Sequence, residues 1–408
     1  MYIKVIIFLS IFFFPFSEQP DKNRGEEIEG LLYTDGSPVS IKIIDGKIAA
    51  IQHLPSDIKI PEVFISPGLI DIQINGYMGI DFSDQNLKIE DLREVTRSLW
   101  KIGVTTFLPT VVTNEPARMK KSFSLLSEML KDEEIGISIS GFHLEGPYIS
   151  PLEGFRGAHL EKYIRRPDWE EFCELQDAAQ NRIKLITVAP EVEGAISFIS
   201  KCVENGIVVS LGHHNGTAEN IRSAVDAGAS LSTHLGNGCA NMIDRHLNPL
   251  WSQLANDNLT ASIIVDGFHL TKEEVQSFYK IKGPEKTILV SDAVDLAGLP
   301  PGEYIRREKR LVLTPDNVVK FPAENVLAGA ASPISICVGN IMKFTGCSLA
   351  NAIKMASTNP AKLLCLDDLG EIRAGKRADL IMFRIEDNKM VIIKTIVAGK
   401  VVYSIDKE

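Results

Sequence analysis

Positive charge is in short supply in this chain: 43 Lys and Arg stand against 53 Asp and Glu, a formal net charge of −10 over 408 residues. A nucleic-acid binder needs a basic face to displace counterions from phosphates, so the balance argues against one. A small anionic ligand, held by local groups, stays open. Cysteine is sparse. None of the six (Cys173, Cys202, Cys239, Cys337, Cys347 and Cys365) falls at C-x-x-C spacing, and a chain this long needs no disulfide staples, so free thiols are expected. Several signatures are missing as well: no G-x-S-x-G elbow, no H-E-x-x-H helix, no G-x-G-x-x-G. Gly370 to Lys376 nearly matches a phosphate-binding loop, but Arg377 stands where Ser or Thr must hold magnesium, so the segment reads as a turn between strands.

At the N-terminus, Lys4 precedes an apolar run from Val5 to Phe16, then Ser17-Glu18-Gln19-Pro20. The run resembles a signal peptide but shows no A-x-A-like cleavage site, and it is too short to span a membrane comfortably as a helix. Residues 4–17 thus read as a signal peptide or anchor, the chain's one prospective tie to a membrane, or as a wrongly assigned start. The next methionine, Met78, would delete the first barrel strand described below.

What is present is ordinary globular material, 45% hydrophobic and 24% charged, enough for a large core. Residues 1–26 form the leader and a polar spacer. Short alternating segments within 27–66 (Ser40 to Ile44, Lys47 to Gln52, Val63 to Ile65) predict the first part of a small antiparallel β domain. From Pro67 to about residue 300, strand-like runs alternate with helical stretches, which predicts βα units and a parallel sheet. Eight strands are countable: Leu69–Asn75, Val104–Thr110, Ile137–Glu145, Ile183–Pro190, Ile207–His213, Ser230–Leu235, Ala261–Asp266 and Thr287–Asp292. Seven or nine could be argued, but eight fit a (β/α)₈ TIM-type barrel. Residues 301–330 read as strands and loop adjoining the small domain, 331–369 as helices (Ile334–Phe344, Ser348–Ser357) on the barrel, and 370–408 as the last part of the small domain. The expected architecture is α/β, a barrel inserted into a small β-sandwich built from both chain ends.

Nearly every predicted barrel strand ends in polar residues: Asp71-Ile-Gln73-Ile-Asn75, His143-Leu-Glu145, His213-His214-Asn215, Thr233-His234, Asp266 to His269, and Ser291-Asp292. The carboxyl ends of barrel strands form the active-site face, so these groups converge on one mouth. Seven of the eight histidines follow residue 140, and five sit in these clusters. Imidazole with carboxylate and no thiolate suits a catalytic zinc, iron, manganese or cobalt ion rather than a structural zinc.

The chain resembles the amidohydrolase superfamily, and within it the N-acetylglucosamine-6-phosphate deacetylases, from about residue 28 to the end. The marks are Pro67-Gly68-Leu-Ile-Asp71 with Asn75-Gly76, Gly141-Phe-His-Leu-Glu-Gly-Pro147, Ala189-Pro-Glu191, Gly212-His213, Thr233-His-Leu235, Asp266-Gly-Phe-His269, Ser291-Asp292-Ala293, and a tail from Asn359-Pro-Ala to Ala378-Asp379-Leu. The resemblance implies metal-dependent hydrolysis of an N-acetyl amino sugar. It implies one divalent ion on Glu145, His213 and His234, Asp292 as proton shuttle, and His159 near the scissile carbonyl. It also implies sugar contact by His269, phosphate contact by backbone amides of Asn237 and Gly238, a homodimer and a cytoplasmic location. Gln73 and Asn75 stand where two-metal relatives carry H-x-H, and are expected to line the substrate site. Arg245 stands near the place of a phosphate-binding arginine supplied to the neighbouring subunit, in an altered local pattern; pairing with Asp244 is its other reading. Another N-acyl amine or cyclic amide without phosphate, and a non-catalytic metal or sugar binder, are the alternatives. His214 is expected at the rim.

Overall fold

The computed structural model describes residues 25–306, 309–321 and 326–407; the leader expectation for residues 4–17 falls outside them. Among the described residues no helix is long and apolar enough to cross a membrane. Eight parallel strands build the barrel: β1 (Leu69–Ile74), β2 (Val104–Val112), β3 (Phe142–Glu145), β4 (Ile183–Val188), β5 (Val208–Leu211), β6 (Leu231–Ser232), β7 (Thr260–Ile263) and β8 (Thr287–Leu289). Their ladder runs in chain order from β1 to β8. The seam between β8 and β1 is joined beyond the end of β8, by Asp292 N donating to Gln73 O at 2.9 Å and Asn75 N to Ala293 O at 2.7 Å. The helices that follow the strands are α1 (Ile89–Lys101), α2 (Pro116–Met129), α3 (Trp169–Ala178), α4 (Ala195–Glu204), α5 (Ala218–Asp226), α6 (Pro249–Leu254), α7 (Lys272–Lys282) and α8 (Ile334–Thr345).

Local sequence explains these elements. In α1, Leu92, Val95, Thr96, Leu99 and Trp100 recur at helical spacing and are the residues it buries. Side-chain oxygens of Asp168, Thr217, Asn248 and Thr271 cap the starts of α3, α5, α6 and α7. Ile70, Leu108, Leu185, Leu231, Ile288 and Val290 form one apolar cluster, the filling of the barrel interior.

Several strands stop earlier than the sequence predicts, for one physical reason. His213, His234 and Asp292 have φ of 51°, 31° and 49°. A left-handed residue leaves the ladder, so β5, β6 and β8 end before these side chains. The run expected from Ile137 starts as strand only at Phe142, after the short helix Glu133–Gly136 and Gly141 at φ 153°. The helix expected over Ser348–Ser357 is α-helical to Ile353, then widens into a π turn at Lys354–Thr358.

Both chain ends form one seven-stranded sheet, in the order Lys400–Ser404, Lys389–Val397, Leu380–Glu386, Phe64–Pro67, Glu26–Leu32, Pro38–Ile44, Lys47–His53. It encloses its own core of Ile28, Ile41, Ile65, Leu380 and Ile396. One pairing differs from the expected antiparallel pattern: Phe64–Pro67 runs parallel to Glu26–Leu32, because the chain returns through the intervening hairpin. The strands Gly302–Arg306, Lys309–Leu313, Val318–Phe321 and Val326–Ala330 make a separate antiparallel sheet. It meets the barrel mouth, where Ala330 N donates to Asp292 O at 3.3 Å and Arg306 pairs with Asp295.

One buried lysine secures the approach to β7. Lys282 Nζ donates to Gln253 O, Asn256 O and Leu259 O at 2.7, 2.7 and 2.9 Å. Lys282→Met removes this donor from all three carbonyls, while Gln253 O and Asn256 O keep backbone partners, Asn256 N at 3.4 Å and Leu259 N at 3.2 Å. It is expected to cost about 2 kcal/mol, from the lost charge-assisted bonds, read as a fall in the urea midpoint at unchanged m-value.

Candidate active site

Above the apolar filling of the barrel lies a belt of polar side chains. His143 Nε2 meets Thr187 Oγ1 at 2.8 Å, and Thr187 Oγ1 meets Thr233 Oγ1 at 2.8 Å, which in turn meets Ser210 Oγ. Burial lowers the His143 pKa to about 4, so it is neutral. It therefore sits one layer below the mouth, apart from the strand-end residues with which it was grouped.

At the mouth, Glu145, His213 and His234 come together, each buried. Their ligand atoms all lie within 4.8 Å of one another. His234 Nε2 is 3.0 Å from Glu145 Oε1 and 3.1 Å from His213 Nε2, and His213 Nε2 is 3.2 Å from Glu145 Oε1. His213 Nδ1 lies 3.0 Å from Phe155 O. A carbonyl can only accept, so Nδ1 carries the proton and Nε2 turns its lone pair to the centre. Burial would raise the Glu145 carboxyl, but without an ion the two imidazoles, when protonated, hold it well below the usual range through hydrogen bonds and charge. Two imidazole lone pairs and a buried carboxylate at one point form a donor set suited to a divalent cation. Glycine makes the crowding feasible: at Gly238, φ 63°, a Cβ would stand 2.9 Å from His213 Nδ1 and 3.0 Å from His234 Cε1.

Asp292 lies beside this cluster. Its Oδ1 accepts Asn75 Nδ2 at 2.8 Å and Gln73 Nε2 at 3.1 Å, while Gln73 Nε2 also reaches Glu145 Oε1 at 2.9 Å. Gln73 and Asn75, expected to line the substrate site, thus spend these amide donors on the two carboxylates. Oδ2 of Asp292 has no hydrogen-bond partner among the described residues and is the atom available to take a proton. Burial first, and the Glu145 charge second, push the Asp292 pKa up to about 6.

The remaining expected residues fall around the same mouth in different ways. His269 Nδ1 is held at 2.8 Å by Asp266 Oδ2, and Asp266 Oδ1 accepts the Phe268 and His269 amides at 2.8 and 2.9 Å. Asp266 is a site residue to which the sequence reading gave no role, although it stands in the quoted motif. His159 stacks edge-on against the His213 ring, centroids 4.5 Å apart. The Asn237 amide does not stay free for a ligand as expected: it donates to His234 O at 2.8 Å, closing the turn. The open donor of this residue is its buried side-chain Nδ2, which has no partner among the described residues.

His214 is not a rim residue. It lies beyond the end of β5 and is buried towards α6, with Gly216 N donating to its Nδ1 at 3.1 Å and Gln253 bonded to its ring. Arg245 is exposed, and among the described residues its guanidinium makes no ion pair. The pairing with Asp244 is absent because that carboxylate caps the His246 and Leu247 amides at 2.8 and 2.7 Å.

Comparison with known proteins agrees with this geometry. The model of the Amidohydrolase family matches residues 64–402. An N-acetylglucosamine-6-phosphate deacetylase of Lysinibacillus sphaericus is 31% identical over 365 residues, 88% of this chain and 91% of the relative. An N-acetylgalactosamine-6-phosphate deacetylase of Escherichia coli O157:H7 is 29% identical, covering 84% and 89%. The crystal structure of N-acetylglucosamine-6-phosphate deacetylase from Thermotoga maritima, 33% identical, superposes with a TM-score of 0.81 over 92% of this chain and 98% of that one. By the extent of the family match and by these relatives, the chain belongs to the amidohydrolase family.

Proposed function

We propose that this protein hydrolyses the N-acetyl amide of an amino-sugar phosphate, N-acetylglucosamine 6-phosphate, to glucosamine 6-phosphate and acetate. The observation that carries the reading is the placement of Asp292, with Oδ2 open, beside the Glu145–His213–His234 cluster. A binder has no need of such a carboxylate. The relatives' substrates support the sugar phosphate. Glu145, His213 and His234 would hold one divalent ion, zinc, iron, manganese or cobalt, which when bound polarises the acyl carbonyl and acidifies water.

The protein's own groups do the rest. Asp292 Oδ2 accepts the proton of the attacking water and returns it to the leaving amine, acting as base and then as acid. Gln73 and Asn75 hold its other oxygen, so the carboxylate keeps one orientation through both transfers. Asp266 fixes the His269 ring, which is thereby set to meet a sugar hydroxyl. His159 stands to donate to the developing oxyanion. The test is amine release from a panel of N-acetyl sugars, phosphorylated and not, by metal-reconstituted protein. Release from none of them would end the reading. The galactosamine epimer, supported by the E. coli relative, is separated by the same panel.

Arg245 is assigned to the substrate phosphate of a second copy in a homodimer. Its unpaired, exposed guanidinium suits a phosphate bidentately, and Met242 and Leu247 beside it are 89% and 86% exposed, apolar surface of the kind a partner covers. Arg245→Ala is expected to raise KM for the phosphorylated sugar on the order of 10–100-fold, the worth of one charge-assisted contact. The unphosphorylated sugar should be unaffected. Equal KM values for both sugars in the wild type would remove the phosphate from the assignment.

A further inference from the structure

His213 presents its Nε2 from a turn, residues 213–216, whose first residue has φ 51°, a conformation that persists in a non-glycine residue only when its surroundings hold it there. Three contacts hold this turn. Ser150 N donates to His213 O at 2.9 Å, and Gly216 N donates to His214 Nδ1 at 3.1 Å. The third comes from Glu191, in the Ala189-Pro-Glu191 stretch just beyond β4, whose Oε1 accepts Asn215 N at 2.6 Å. Among the described residues it is the only side chain from another strand that bonds the backbone of the turn. The fit is close: Glu191 Oε2 is sealed from solvent, and a Cβ on Gly216 would stand 2.9 Å from Pro190 Cγ and 3.4 Å from that oxygen. The Ser150 hydroxyl also lies beside the carboxylate, so Glu191 gathers the loops after β3, β4 and β5 at one point.

We propose that Glu191 is a positioning residue for the metal centre: its carboxylate pins the 213–216 turn so that His213 Nε2 faces Glu145 and His234. Glu191 touches neither substrate nor ion. It acts through the backbone of Asn215, as outer groups that orient a ligand do, and such groups typically contribute 10–100-fold to metal affinity. The inference rests on the metal reading of the preceding section.

The test is titration of metal-free protein with cobalt(II), following the visible d–d band for Kd and coordination, with Tm of the metal-free protein in parallel. Glu191→Ala is expected to weaken cobalt binding roughly 10–100-fold. Glu191→Asp keeps the charge but draws the oxygens back by one methylene, and is expected to weaken binding in the same direction. Glu191→Gln, whose carbonyl oxygen still accepts Asn215 N, is expected to restore affinity to near the wild-type value. Wild-type affinity in either the Ala or the Asp variant overturns the proposal, as does a Gln variant as weak as Ala. A wild-type protein that binds no cobalt overturns the metal reading itself, which keeps the two failures apart.

Discussion

Asp292→Asn is expected to lower kcat by about 10²–10⁴-fold, the range for lost acid–base catalysis, with metal content and fold retained. The amide fills nearly the same volume, and its oxygen can still accept from Gln73 and Asn75. What it cannot do is hold a proton between attack and departure. The pH profile gives a second readout. The base form of Asp292 is the ionised one, so kcat/KM rises with pH through its pKa and levels above it. Burial and the Glu145 charge place that pKa near about 6 in the protein alone. A bound cation favours the charged form and moves it lower. The acid limb of the wild type is therefore expected at or below pH 6, and is expected to vanish in the Asn variant. Turnover within a few-fold of wild type would move the shuttle elsewhere, with His159, edge-on to His213, the next candidate.

Glu145→Ala, His213→Ala and His234→Ala are each expected to abolish turnover by releasing the ion. The wild type should retain one equivalent of divalent metal per chain through dialysis, since Gln73 and Asn75 occupy the positions of a second histidine pair and are committed to carboxylates. Loss of a direct ligand exceeds the roughly 10–100-fold penalty for disturbing an outer group. It removes one of three protein ligands, so near-zero occupancy is expected by elemental analysis. Two equivalents surviving dialysis, or a full equivalent in any of the three variants, would contradict the one-metal site.

Much of this was legible in the sequence because two periodicities carry it. Alternating strand and helix texture announced the barrel, and polar residues at successive strand ends announced its mouth. The misplacements come from features that those periods do not encode. His143 and Glu145 share a face at a spacing of two, yet only Glu145 is high enough to reach the cluster, and His143 joins Thr187 beneath it. His214 adjoins His213, but both lie in the turn beyond β5, where His213 faces the cluster and His214 turns out against Gln253. The left-handed φ values at His213, His234 and Asp292 shorten three strands and aim three functional side chains, and although His and Asp adopt such values more often than most residues, their types alone do not mark where it happens. The hydrogen bonds of Gln73 and Asn75 to Asp292 span more than two hundred residues of sequence, beyond any local pattern.

The β8–β1 seam carries a consequence for dynamics. It is the one join of the barrel made outside the regular ladder, and it is made by Asp292, Ala293, Gln73 and Asn75 themselves. Joints with few backbone bonds are where folded proteins open first. A parting there would carry Asp292 away from the amides that orient it. Closure of the barrel and aim of the carboxylate thus rest on the same few residues, and a substitution that loosens one is expected to loosen the other.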